Sequence, residues 1–208
     1  MLKKIIEFYS IANNLKHTIR TGWSEVGIPT DKIESVADHV YGCYILAICL
    51  ASEFKLELDM TKVLKMLTIK ELTKAKSVEE NSIINRNNNA QRPRDCILEI
   101  TKGLEAQSDL LALYDEYSQA QSAEAKFTLY VSKFESDLQA KLYDLNGDFT
   151  LENAIADVQN YPSDLRDEIL PNMESASDGW LQYDRKYYTD NKMFTDLSIE
   201  LQNYQKRN

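Results

Sequence analysis

The chain has 208 residues, 43% hydrophobic and 27% charged, an ordinary balance for a globular protein and enough chain for one well-buried domain. Its formal net charge of −9 repels the nucleic-acid backbone and anionic membrane surfaces, so neither is expected as a partner, although a local basic pocket can still hold a small phosphorylated ligand. Six glycines and four prolines are too few for the turns of an all-β protein, and the fold class expected is all-α.

In chain order, Leu2, Ile5, Ile6, Tyr9, Ala12 and Leu15 recur every three or four positions and predict an amphipathic helix over residues 2–16. A loop follows through Gly27, Ile28 and Pro29. The stretch from Ile33 to Ala51 predicts a central helix, almost wholly apolar after His39. Its apolar run from Val40 falls well short of the roughly 20 residues that span a bilayer. Asp59 is the expected N-cap of a helix from Met60 to Ala75. On that helix Met66, Leu67, Ile69 and Leu72 form a buried face, while Lys70 and Lys74 lie one turn apart with Glu71 beside them. Taken alone, this charged side is an ordinary solvated face.

Farther on, Ser77 to Glu80 fits a capping box, and Asn85 to Asn89 a polar loop over the mouth of the domain or a mobile excursion. Helices are expected at about 94–103, 108–119 and 122–145, the last opened by Ser122 and closed by Asn146-Gly147-Asp148. The remainder, 150–208, reads as shorter helices broken at Pro162 and Pro171. Its aromatics, Trp180, Tyr183, Tyr187, Tyr188 and Phe194, are expected to pack on the main bundle or at a dimer contact rather than to cage a ligand. With no repeat and no second composition regime, the organisation expected is a helical core over 1–145 and a C-terminal helical extension over 146–208 packed on the same domain. Cys43, Cys49 and Cys96 are odd in number and lack CxxC spacing, so they read as reduced thiols. The N-terminus has no signal-peptide core, and the cytoplasm is the expected compartment.

Singly, the polar residues have plain structural uses: His39 as a core or cap histidine, Arg20 and Trp23 as a surface pair. Several of them fall within a longer pattern. The run Leu15-Lys16-His17-Thr18-Ile19-Arg20-Thr21-Gly22-Trp23, then Glu34-Ser35-Val36-Ala37-Asp38-His39-Val40-Tyr41, resembles the opening of the HD-domain phosphohydrolases, and within them the 5′-deoxynucleotidase branch. The resemblance continues through Leu58-Asp59 and Lys62-Val63-Leu64-Lys65-Met66 and returns at Glu124-Ala125-Lys126-Phe127 and from Ser132 to Ala140. It implies an HD-type helical bundle and a homodimer. It also implies a divalent metal held by a first His, an adjacent His-Asp pair and a late Asp, with a Glu one turn beyond the pair assisting the attacking water. Those residue types neutralise the ion and leave positions open for water and phosphate.

Of that set, only the first His is unchanged, as His39. Lys70-Glu71 stands at the His-Asp pair, Lys74 at the assisting Glu and Ser132 at the late Asp. Glu71 can still coordinate, a protonated Lys70 repels a divalent ion, and Ser132 is a weak neutral ligand. The expectation is therefore a protein without a cofactor. A divalent metal enters only if this reading of the site fails, and then through His39 and Glu71. Arg20 resembles the family's phosphate-contacting arginine, and Trp23 stands where that branch packs against sugar or base.

Two readings of the cavity stay open. In one, Lys70 and Lys74 supply the charge a metal once supplied, and Arg20, Trp23, His39, Lys70, Lys74 and Ser132 bind a nucleotide or another phosphorylated anion. The protein then binds or regulates without metal-dependent hydrolysis, with an unnamed regulatory protein as a further partner. In the other, Lys70 pairs with Asp38, Glu71 or Glu135 and the site is closed. Catalysis, if retained, falls to His39, Glu71, Lys70 and Lys74. It would be that of an active HD-type phosphohydrolase, or of a metal-independent enzyme in which a buried lysine beside a second cation is base or nucleophile.

Overall fold

The computed structural model describes residues 2–75 and 93–205. Among these residues there is no strand; the one bridge of strand type joins Ile19 to Ser35. The expected all-α class is the one observed. The capping box at Ser77–Glu80 and the polar run at Asn85–Asn89 lie outside the described residues. Contacts divide the chain into two compact units, Met1–Ile19 with Glu34–Val131, and Arg20–Ile33 with Ser132–Asn208.

The first unit opens with α1 (Leu2–Ala12) and a 3-10 turn, Asn13–Lys16, where a single longer helix was expected. Helix α2 (Thr21–Glu25) belongs to the second unit, and helix α3 (Val36–Glu53) starts later than Ile33 because Ser35 is extended and caps it. The Asp38 amide donates to Ser35 Oγ at 3.1 Å and the Ser35 amide to Asp38 Oδ2 at 2.9 Å, so two otherwise orphaned donors are satisfied reciprocally. That box fixes the first turn of α3 and with it the position of His39. Val36, His39, Cys43, Ala47, Leu50 and Ala51 follow at helical spacing on the buried side.

Asp59 caps α4 (Met60–Ile69) as expected, its Oδ1 accepting from the Lys62 amide at 3.1 Å. The helix expected to reach Ala75 instead tightens into a 3-10 segment over Lys70–Lys74. Three residues per turn place Ile69, Leu72 and Ala75 in one line, and all three enter a core with Leu15, Val36, Ile97 and Ile100. The same period sets Lys74 directly over Glu71. Helices α5 (Pro93–Ile100) and α6 (Gln107–Gln119) pack on this turn and on α4, respectively.

The second unit holds α2 (Thr21–Glu25), the part of α7 (Ala123–Asn146) from Ser132 onward, α8 (Leu151–Val158), α9 (Ser163–Ile169), α10 (Ala176–Asp184) and α11 (Lys192–Asn203). Gly147 stops α7 at φ +78°, a left-handed value that suits glycine. Pro162 caps α9, and Pro171 sits in the 3-10 turn that ends it. Trp23, Val26, Ile28 and Ile33 share a core with Ala140, Tyr143, Phe149, Ala154 and Ala176. The late aromatics are packing residues: Trp180 stacks on Trp23 at 4.5 Å, Tyr188 stacks on Phe194 at 5.7 Å, and both of the latter meet Phe134 edge-on. No helix among the described residues is long and apolar enough to cross a membrane.

The capping box at the head of α3 yields a direct expectation. Ser35→Ala removes the acceptor for the Asp38 amide and lowers stability by about 1 kcal/mol in urea unfolding, with an unchanged m-value.

Candidate functional site

The 3-10 turn after α4 delivers a charged cluster to the buried side of α3. Glu71 is 4% exposed and has a cation on each oxygen: Lys70 Nζ donates to Oε1, and Lys74 Nζ lies 2.7 Å from Oε2. Its Oε1 is also 3.6 Å from Nε2 of His39, which is 1% exposed. The Lys70 side chain is nearly as buried as its partner, whereas that of Lys74 is half exposed. One carboxylate facing two ammonium groups leaves the cluster with a net positive charge.

Burial alone would push Glu71 up, but the charges of Lys70, Lys74 and His39 and the hydrogen bond from Lys70 hold it far below the usual carboxylate range. For Lys70, burial works to lower the value; Glu71 above all, then Tyr117 and Cys43, outweigh it, and the ammonium is held above its ordinary value. Both groups are therefore charged at neutral pH, and Lys70 is not the depressed lysine that a metal-independent base or nucleophile requires.

Cys43 completes the surroundings of His39. It lies one turn further along α3, buried, with Sγ 3.7 Å from Nε2 and 3.8 Å from Nδ1. Reading by motif position passed over this residue. The signal for it was present, a thiol four residues after a histidine on a helix, since that spacing puts both on one face.

The structure thus brings His39, Lys70, Glu71 and Lys74 together in the first unit. The second unit holds Arg20, Trp23 and Ser132. Arg20 Nη2 donates to Ser136 Oγ at 2.9 Å, and its Nη1 lies 3.8 Å from Glu135 Oε2. Ser136 Oγ in turn donates to the Ser132 carbonyl at 3.2 Å. Trp23 is 1% exposed, and the Arg20 guanidinium lies 5.4 Å from its ring centroid.

A family model described as HD domain matches residues 12–174. The chain belongs to the HD domain family. It is 30% identical over 152 residues to a 5′-deoxynucleotidase of Dictyostelium discoideum, covering 69% of this chain and 79% of that one. A 5′-deoxynucleotidase of Homo sapiens is 24% identical over 68% of this chain and 69% of its own. These relatives place the chain in the 5′-deoxynucleotidase-like branch of the HD phosphohydrolases. Among solved structures, a protein of Pyrococcus horikoshii OT3 matches with TM-score 0.54 at 25% identity, covering 86% of this chain and 98% of that one. One from Magnetospirillum magnetotacticum MS-1, described as a predicted metal-dependent phosphohydrolase, matches with TM-score 0.53 over 97% and 94%; at 16% identity it shows the fold.

These findings correct the expectation of a protein without a cofactor. HD phosphohydrolases are metal-dependent, and His39 and Cys43 place ligand-type atoms within 4.8 Å of each other in a buried setting. An imidazole nitrogen and a thiol sulfur fit a soft divalent ion such as zinc.

A pH dependence follows from Glu71. Its depressed value contributes stability that is complete above the ordinary carboxylate range and is lost as pH falls through the folded-state value. Glu71→Gln removes this slope and leaves Lys70 buried without its counter-charge, at a cost of about 3–5 kcal/mol. Unfolding free energies measured between about pH 3 and pH 7 check both the sign and the size.

Proposed function

We propose that this HD-domain protein binds a nucleoside 5′-monophosphate or a similar phosphorylated anion, and that binding rather than rapid hydrolysis is its main property. The Lys70–Glu71 pair is the one that a closed site would also make, and the observation that carries this reading is the second ammonium, Lys74, half exposed beside that buried pair and His39. The family's first metal-binding histidine is kept, while the carboxylate next to it is already neutralised by two ammonium groups. The surplus positive charge favours a phosphate, and the 5′-deoxynucleotidase relatives support a nucleotide as its carrier. A cytoplasmic homodimer is part of the same reading; Tyr41, Ile45 and Ile48 form an exposed apolar stripe on α3 of the kind a second copy covers.

A second reading, an active metal-dependent phosphohydrolase, is favoured by Cys43. His39 and Cys43 would hold the ion, which when bound polarises a phosphoryl oxygen and activates water. Lys70 and Lys74 would then orient and neutralise the phosphate, and His39 and Glu71 would be the groups nearest a reacting water.

Calorimetric titration with deoxynucleoside monophosphates separates these outcomes from no binding at all. Wild type is expected to bind, and Lys70→Ala to bind at least about tenfold more weakly, equivalent to about 1.4 kcal/mol. Phosphate release with added cobalt or manganese is expected to run about 10²–10⁴ below that of the Dictyostelium relative, the usual cost of losing an assisting acid–base group. Absence of heat in wild type would remove the binding reading. Turnover matching the relative, with one ion per chain and loss on chelation, would establish the second.

A further inference from the structure

The second unit buries a pair of carboxylates that the proposed site does not use. Asp137 on α7 is fully buried, and Asp184 at the end of α10 is 3% exposed. Tyr188 Oη donates to Asp137 Oδ2 at 2.8 Å, while the other oxygen, Oδ1, is buried without a hydrogen-bond partner. Lys133 Nζ reaches Asp184 Oδ1 at 3.5 Å, long for a charge-assisted bond, and the same ammonium lies 4.3 Å from the centroid of the Tyr187 ring.

The surrounding cations pair with these carboxylates only loosely. Arg185 faces Asp137, but its guanidinium donates to Ser198 Oγ at 3.1 Å, to the Ser198 carbonyl and to Gln202. Lys186 and Arg20 act on Asp184 together with Lys133, and Lys186 Nζ sits 3.2 Å over the Tyr183 ring. Tyr161, Tyr187 and Tyr188 bring phenols toward Asp184, and α11 brings Phe194 and Ser198 to the rings and the guanidinium of this region. A fully buried carboxylate whose hydrogen bond comes from a phenol hydroxyl, with its other oxygen unpartnered, cannot ionise at modest cost. A neutral carboxyl removes that cost and also accounts for the unpaired oxygen, since an uncharged acceptor is far cheaper to leave unsatisfied than half of an anion. In keeping with the geometry, burial first and Asp184 second push Asp137 well above the usual carboxylate range; Asp184 is raised by burial, with Lys133, Lys186 and Arg20 opposing it.

We propose that the folded second unit keeps Asp137 protonated at neutral pH, and that losing this proton loosens the turn after α10, held through Tyr188, from α7. This carboxyl is an alkaline-sensitive latch. The sign is opposite to that of Glu71: the folded state holds a proton that the unfolded chain has already given up, so stability is complete below the ordinary carboxylate range and declines as pH rises. Glu71 is held below the neutral region and Lys70 above it, and the part of the slope there that Asp137→Asn removes is the latch's.

Two measurements on the full chain decide it. Infrared difference spectra of wild type minus Asp137→Asn at about pH 7 are expected to show the C=O stretch of a protonated carboxyl in wild type and its loss in the variant. Wild type is expected to lose about 5 °C or more in melting midpoint between about pH 6 and pH 9, and Asp137→Asn, a neutral isostere that still accepts from Tyr188, to lose less than half of that. Absence of the carboxyl band from wild type overturns the proposal even if the variant fails to fold. An equal pH slope in both proteins overturns it too.

Discussion

A single buried carboxylate with a cation on each oxygen governs the chemistry of the first unit. Glu71 brings a negative charge to a place where it would be prohibitive alone, and Lys70 does the same with a positive one; each is tolerable because the other is present. Lys74 adds a second ammonium from the next 3-10 turn and His39 an imidazole from α3. Removing any one of these groups changes the electrostatic cost of the others. The local backbone follows the same logic, since the three-residue period that aligns Ile69, Leu72 and Ala75 in the core also aligns Glu71 with Lys74.

This cluster lies against His39, an imidazole of the type that the metal-dependent HD family uses as a ligand. Two ammonium groups bring fixed positive charge beside this imidazole, and a metal ion is what lowers the pKa of a bound water in this family's chemistry. The thiol of Cys43 beside His39 points the other way, toward an ion of softer type than an all-oxygen site would select. Fixed positive charge and donors that suit a metal therefore meet on the same imidazole.

The caps were the best-marked features of the sequence. Asp59 and Ser122 stand where helices begin, and Ser35 with Asp38 wrote the start of α3 in a signature that also anchors the family resemblance. The switch to a 3-10 turn at Lys70 was not legible, because apolar residues at a spacing of three satisfy both helix types and only packing against Val36 and Ile97 chooses between them. The polar cluster around His39 was legible by family position, but Cys43 was not, having no motif place. The Asp137–Asp184 pair was invisible for another reason. Its burial comes from Tyr188, Phe194 and Phe134 packing across helices that are far apart in sequence, and no local pattern announces it.

The interdependence of Lys70 and Glu71 is tested most directly by a double-mutant cycle on stability, using Lys70→Met, Glu71→Gln and the double variant. A buried, mutually required pair predicts that each single change costs several kcal/mol while the double costs little more than either, giving a coupling of about 3 kcal/mol. Additive losses with no coupling beyond about 0.5 kcal/mol would show two independent surface-like charges and contradict the account of this site.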